Sequence, residues 1–132
     1  MSKITKKIKS SPHILLAEGN RFLSKVIGNK LLRRGFMVSL ANDGQEAIDK
    51  ITDEKFDLIL LDLVLAKKNG LEVLNEIKID KNLNTKIVML LGVDKTSDIE
   101  AIKKLGVTDY IIKSDLSIDM VAQKIEKILN KN

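Results

Sequence analysis

"DLILLDLVLAKKNG", residues 57–70, sets a carboxylate at the end of a run fit only for a protein core. Leu58 to Leu61 are aliphatic without a break, the pattern of a strand covered on both faces. Asp62 closes the run, and Leu63 to Leu65 then resume it. A carboxylate at the end of a buried strand costs free energy unless something compensates it. From Gly70 the period changes, and Leu71, Leu74 and Ile77 repeat as on a helix over 70–79.

Working outward, the same change of period recurs along the chain. "HILLAE" (13–18) is a short apolar run ending in an acid. Residues 20–34 then place Phe22, Val26, Ile27, Leu31 and Leu32 at helical spacing, with Gly35 as a stop. "FMVSLA" (36–41) reads as a strand, and "NDG" opens a short helix carrying Ala47, Ile48 and Ile51 on one face. "KIVMLL" (86–91) is a further buried strand. Ile99, Ile102 and Leu105 share one side of a helix over 95–105, capped by Gly106. "DYII" (109–112) is the fifth strand, and Ile118, Val121, Ala122, Ile125, Ile128 and Leu129 mark the last helix. Five alternations of strand and helix imply an α/β, doubly wound parallel sheet, because right-handed crossovers place helices on both faces.

The chain has 132 residues, the size of one domain, able to bury roughly two thirds of its unfolded surface. Aromatic residues make up 3% of it, so the core is built from Ile, Leu and Val. The absence of cysteine excludes disulfides, thiol catalysis and thiolate metal sites. No apolar stretch approaches the ~18 residues of a membrane span, and a cytoplasmic location is expected. The net charge of +5 is concentrated in residues 1–12, where Lys3, Lys6, Lys7 and Lys9 stand without an acid. Residues 1–12 read as a basic, solvated tail and 13–132 as the domain.

In an open parallel sheet, ligands bind at the carboxyl ends of the strands, where the strand order reverses. Strand one ends at Glu18 and Gly19, strand three at Asp62, strand four at Leu91 and Gly92, strand five at Lys113. If strands one, three and five are central, Glu18, Asp62 and Lys113 converge. Two carboxylates suit a hard cation such as Mg²⁺. An Asp beside it can attack a phosphoryl donor and become an acyl phosphate, and a lysine is a compact point charge for a phosphoryl oxygen. Spacing equally allows a structural ion cluster of the same three residues.

These stretches resemble the receiver domain of two-component response regulators, from His13 to Leu129. "ILLAEGN" is similar to the family's first strand and acidic pair, "ANDGQEAI" to its second strand and turn, and "DLILLDLVLAKKNGLEVL" to its phosphoacceptor strand and loop. "IVMLLG" resembles strand four, and "LGVTDYIIK" the stretch ending in the family's lysine. The resemblance implies a flavodoxin-like sheet of order 2-1-3-4-5 with five helices. It implies a signalling module and not an enzyme, with Asp62 as phosphoacceptor and Lys113 as phosphoryl contact. Glu18, Asp62 and the backbone carbonyl of Val64 would hold Mg²⁺, and Tyr110 takes the aromatic switch position.

The departures from the family pattern are as specific as the matches. The second acid of the pair is Gly19, which weakens the Mg²⁺ site, and the Ser/Thr of strand four is Leu91. The proline after the lysine is Ser114, and the "MP" after the phosphoacceptor is Leu65 and Ala66. A hydrogen bond to a charged group is worth roughly 1.5–3 kcal/mol, so the hydroxyl missing at Leu91 removes a comparable share of any switch. Leu91 is expected to fill the space into which Tyr110 would turn, and Lys113 to hold Asp62 directly.

The resemblance implies a stand-alone module of phosphorelay signalling that meets a histidine kinase or phosphotransfer protein. The alternative is a phosphorylation-independent pseudo-receiver that binds a protein partner through helix four, strand five and helix five, about residues 95–128. No DNA-binding output domain is expected, and no P-loop or GxGxxG favours a nucleotide cofactor. His13, the only histidine, reads as an edge residue.

Overall fold

The computed structural model describes residues 11–78, 84–93 and 95–130. The tail expected over 1–12 therefore lies outside the described residues up to position 10. Five strands, β1 (His13–Ala17), β2 (Met37–Ala41), β3 (Leu58–Asp62), β4 (Lys86–Leu91) and β5 (Asp109–Ile112), form one sheet of order β2-β1-β3-β4-β5. Every pairing is parallel. The connections are α1 (Arg21–Arg33), α2 (Gly44–Asp53), α3 (Gly70–Lys78) and α4 (Thr96–Lys104), and α5 (Ile118–Leu129) closes the chain. A short 3₁₀ turn, Lys113–Asp115, lies between β5 and α5. The five-stranded order and five helices match the expectation.

Side chains of successive strand residues leave opposite faces, and the core divides accordingly. Ile14, Leu16, Leu58, Leu60, Val88 and Leu90 pack with α1 and α5 on one face. Leu15, Ala17, Ile59, Leu61, Met89 and Leu91 pack with α2, α3 and α4 on the other. The uninterrupted aliphatic runs are thus read by both layers, which is why these strands show no polar alternation.

Local signals fix the helix ends. Asn20 caps α1, its side chain accepting from the Leu23 N–H at 2.9 Å. Asn69 and Glu72 form a reciprocal capping box at α3, with bonds of 2.9 and 3.0 Å. Gly35 and Gly106, past α1 and α4, take φ of +94° and +86°, the left-handed conformation in which a helix stops.

One expectation is corrected. Phe22 and Leu32 share the helical spacing of Val26, Ile27 and Leu31, yet they are 79% and 54% exposed. The residues α1 buries are Ser24, Ile27, Gly28 and Leu31. At 3.6 residues per turn, Phe22 lies roughly opposite Ser24, so the buried stripe leaves it in solvent. The helix packs through small residues: the site of a Gly28 Cβ would lie 3.5 Å from Leu40 of β2. His13 is a half-buried structural residue, its Nε2 2.8 Å from the Ser39 hydroxyl and its ring 4.6 Å from that of Phe56.

Candidate functional site

The strand order reverses between β1 and β3, and both strands end in an acid. Ala17 pairs with Leu61, so Glu18 and Asp62 emerge side by side from adjacent strands. Both are buried, at 1% and 3% exposure, in positions where an uncompensated charge would be costly. Lys113, the first residue past β5, reaches back over the rim. Its Nζ donates to Asp62 Oδ2 at 2.8 Å and lies 3.0 Å from Glu18 Oε1. The three residues expected to converge do so.

Backbone donors hold the outer oxygens of both carboxylates. The Asn20 N–H donates to Glu18 Oε2 at 2.9 Å, and the Val64 N–H to Asp62 Oδ1 at 3.1 Å. Glu18 Oε1 alone has no hydrogen bond; its contact with the ammonium is an ion pair. Burial is the largest influence on Asp62 and raises its pKa, and the Glu18 carboxyl adds to the rise. Lys113 and the Val64 N–H pull the other way, and the result is about 6. For Lys113, burial disfavours the charge, but the two carboxylates prevail and raise its pKa above the usual lysine value.

The loop after Asp62 is folded hard against the rim. A Cβ at Gly70 would fall 2.4 Å from the Asp62 carbonyl oxygen, and one at Gly44 1.8 Å from that of Lys68. Only glycine permits these approaches. The Gly44 N–H donates to the Ala66 carbonyl and the Gly70 N–H to that of Leu63, at 3.1 and 2.8 Å. Lys67, between them, takes φ of +66°. The segment that presents the Val64 N–H to Asp62 is therefore held from both ends.

At the end of β4 the rim is apolar. Leu91 is fully buried in the cluster shared with α2, α3 and α4, and Tyr110, half-buried, packs against that cluster. Three exposed apolar side chains also follow the strand ends: Phe22 after β1, Val64 after β3 and Val93 after β4. The sequence reading drew nothing from Val93 and missed the part Asn20 plays in fixing Glu18. Asn20 was findable, since an Asn before a helical run is a cap signal.

A doubly wound sheet with two carboxylates and a lysine at its reversal point defines a charged rim site of the flavodoxin-like class. The family model of the response regulator receiver domain matches residues 14–126, and the chain belongs to that family. It is 33% identical over 119 residues to the transcriptional regulatory protein CpxR of Escherichia coli, covering 90% of this chain and 50% of CpxR. It is 30% identical to the response regulator ArlR of Staphylococcus epidermidis, over 90% of this chain and 53% of ArlR. The chain thus spans about half the length of the curated relatives it matches. Among solved structures, the Francisella response regulator 1452 receiver domain superposes with a TM-score of 0.80 at 28% identity, covering 90% of this chain and 97% of that one. A two-component response regulator from Clostridium difficile gives 0.83 at 26%, with 92% and 98% covered.

Receiver domains are generally non-enzymatic signalling modules that interact with histidine kinases or phosphotransfer proteins and bind Mg²⁺ for phosphorylation. The donor set here does not fit such an ion well. Mg²⁺ demands near-octahedral oxygen ligands, while three of the four carboxylate oxygens are already hydrogen-bonded and an ammonium ion-pairs with the fourth. Among the described residues, no three His, Cys, Asp or Glu side chains cluster as metal ligands. None of the helices described is long and apolar enough to cross a membrane.

Proposed function

We propose that this chain is a phosphorelay receiver module, not an enzyme, whose Asp62 accepts a phosphoryl group and whose Lys113 contacts it. The observation that carries this reading is the 2.8 Å pairing of Lys113 Nζ with Asp62 Oδ2 at the reversal point of the sheet. With a pKa of about 6, Asp62 is largely ionised at neutral pH and so available as a nucleophile. Its oxygen attacks phosphorus of a phosphohistidine on a kinase or phosphotransfer protein. The P–N bond breaks as the P–O bond forms, and the imidazole leaves. Lys113 then stands beside the new phosphoryl oxygens, while the Val64 N–H holds the other carboxyl oxygen.

Incubation with acetyl phosphate and Mg²⁺, followed by intact-mass measurement, tests this. A gain of one phosphoryl mass that disappears in Asp62→Asn is expected, and no gain in the wild-type chain would refute it.

A second reading, a pseudo-receiver acting without phosphorylation, is favoured by Leu91. This aliphatic residue offers no hydroxyl to a phosphoryl group and lies in the core cluster against which Tyr110 also packs. Under either reading the partner surface is the face of α4, β5 and α5. It carries a cavity of about 220 Å³ lined by residues that include Tyr110, Ile112, Leu116, Met120 and Val121. Met120 is 61% exposed there.

A further inference from the structure

We infer that the ammonium of Lys113 is the resident cation of this site, and that the single residue at position 19 separates it from a divalent-cation site. The inference shares its residues with the phosphoacceptor reading and deepens it, but it is tested through metal rather than phosphate.

Three observations carry it. The first is occupancy of donors. Asp62 has both oxygens hydrogen-bonded, one by the Val64 N–H and one by Lys113, and Glu18 has Oε2 on the Asn20 N–H. The one carboxylate oxygen without a hydrogen bond is Glu18 Oε1, and Lys113 stands 3.0 Å from it. A divalent ion must therefore displace the ammonium or sit against its charge.

The second is charge. Glu18, Asp62 and Lys113 sum to −1 when all are ionised, so a divalent ion leaves the cluster at +1. A further carboxylate makes the empty cluster −2 and the loaded one neutral, and neutrality in a buried place is the cheaper end state.

The third is space. A Cβ built on Gly19 meets only the Asn42 carbonyl oxygen, at 3.6 Å, an ordinary contact. The residue is exposed and its φ is not in the left-handed region. The missing carboxylate is thus a matter of chemistry and not of room. A side chain at position 19 extends from the residue next to Glu18, on the loop that leaves β1 at the rim. Gly19→Asp would add a third carboxylate at the rim, on the residue next to Glu18.

The experiment titrates Mn²⁺ into the full chain and reads the free aquo ion by electron paramagnetic resonance. Wild type, Gly19→Asp, Gly19→Asn and Lys113→Met are compared. Gly19→Asp is expected to bind Mn²⁺ at least about tenfold more tightly than wild type, an added ~1.4 kcal/mol. Gly19→Asn, equal in size but uncharged, should stay with wild type. Lys113→Met should tighten binding severalfold, by releasing Asp62 Oδ2 and Glu18 Oε1. Wild-type affinity within twofold of Gly19→Asp, or weaker binding in Lys113→Met, overturns the inference. If Lys113→Met does not fold, the Gly19→Asp and Gly19→Asn pair decides alone. Phosphoryl uptake on Asp62 is scored separately, so either reading can fall without the other.

Discussion

The carboxyl rim of the sheet is made of two unlike halves. Between β1 and β3 it is charged, buried and held: Glu18 and Asp62 each have one oxygen fixed by a backbone N–H, and Lys113 joins them. Next to it, at the end of β4, it is aliphatic, with Leu91 fully buried in the core cluster. The first half has what is needed to take on a charged group. At the end of β4 the second has the packing of a core, and the aliphatic Leu91 offers no hydroxyl. Under the proposed function, the residues that would meet a phosphoryl group lie in the first half, and the second offers packing in place of a hydroxyl.

The largest test falls on the aliphatic half. Leu91→Ala removes a fully buried side chain from the cluster beneath α2, α3 and α4. It should cost about 2–5 kcal/mol, the range for such truncations, read as the loss in urea unfolding free energy. A cost below about 1 kcal/mol would mean that Leu91 is not a packing residue and would erase the contrast between the halves.

The charged half gives an effect of opposite sign. Asp62 has a folded pKa of about 6 against an ordinary 3.8. A raised carboxyl pKa stabilises the fold at low pH, where the group is neutral in both states, and that stabilisation is lost as pH rises through about 6. Asn resembles the neutral acid and avoids the loss. Asp62→Asn should therefore be more stable than wild type at pH 8, by about 2–3 kcal/mol at 1.36 kcal/mol per pKa unit. The two curves should converge below pH 4. Equal stability at both pH values would show that Lys113 fully compensates the buried carboxylate.

How these halves looked in the sequence differs too. The aliphatic runs at Leu58–Leu61 and Ile87–Leu91 announced a two-faced parallel sheet, because a strand covered on both sides has no polar alternation to show. Glu18, Asp62 and Lys113 were legible as a cluster because each ends a strand, and parallel strands end at one edge. The exposure of Phe22 was not legible. Its spacing from Val26 is helical, and spacing alone does not say which stripe of a helix a sheet covers. The approaches of Gly44 and Gly70 to distant carbonyls leave no local pattern either, since each depends on a segment brought close by the fold. Nor could the rise in the Asp62 pKa be read from composition, because burial produces it.

The smallest expected effect is the most direct on transmission. Tyr110 is the only tyrosine, and there is no tryptophan, so intrinsic fluorescence reports on one ring packed beside the cluster that holds Leu91. Leu91 offers no hydroxyl to a phosphoryl group, so phosphorylation of the wild-type chain with acetyl phosphate should change that emission by less than the scatter between replicates. Leu91→Thr supplies the hydroxyl and vacates volume, at a cost of roughly 1–3 kcal/mol for an unpaired buried hydroxyl. Once the phosphoryl group is present that hydroxyl gains a charged partner, a bond worth roughly 1.5–3 kcal/mol. The gain is comparable to the cost, which is the condition for an aromatic neighbour to have two arrangements of similar energy. A phosphorylation-dependent change in Tyr110 emission should then appear in Leu91→Thr and disappear again in Leu91→Thr with Asp62→Asn. A full response in the wild-type chain would place the transmitting group elsewhere on the rim and end the division between its halves.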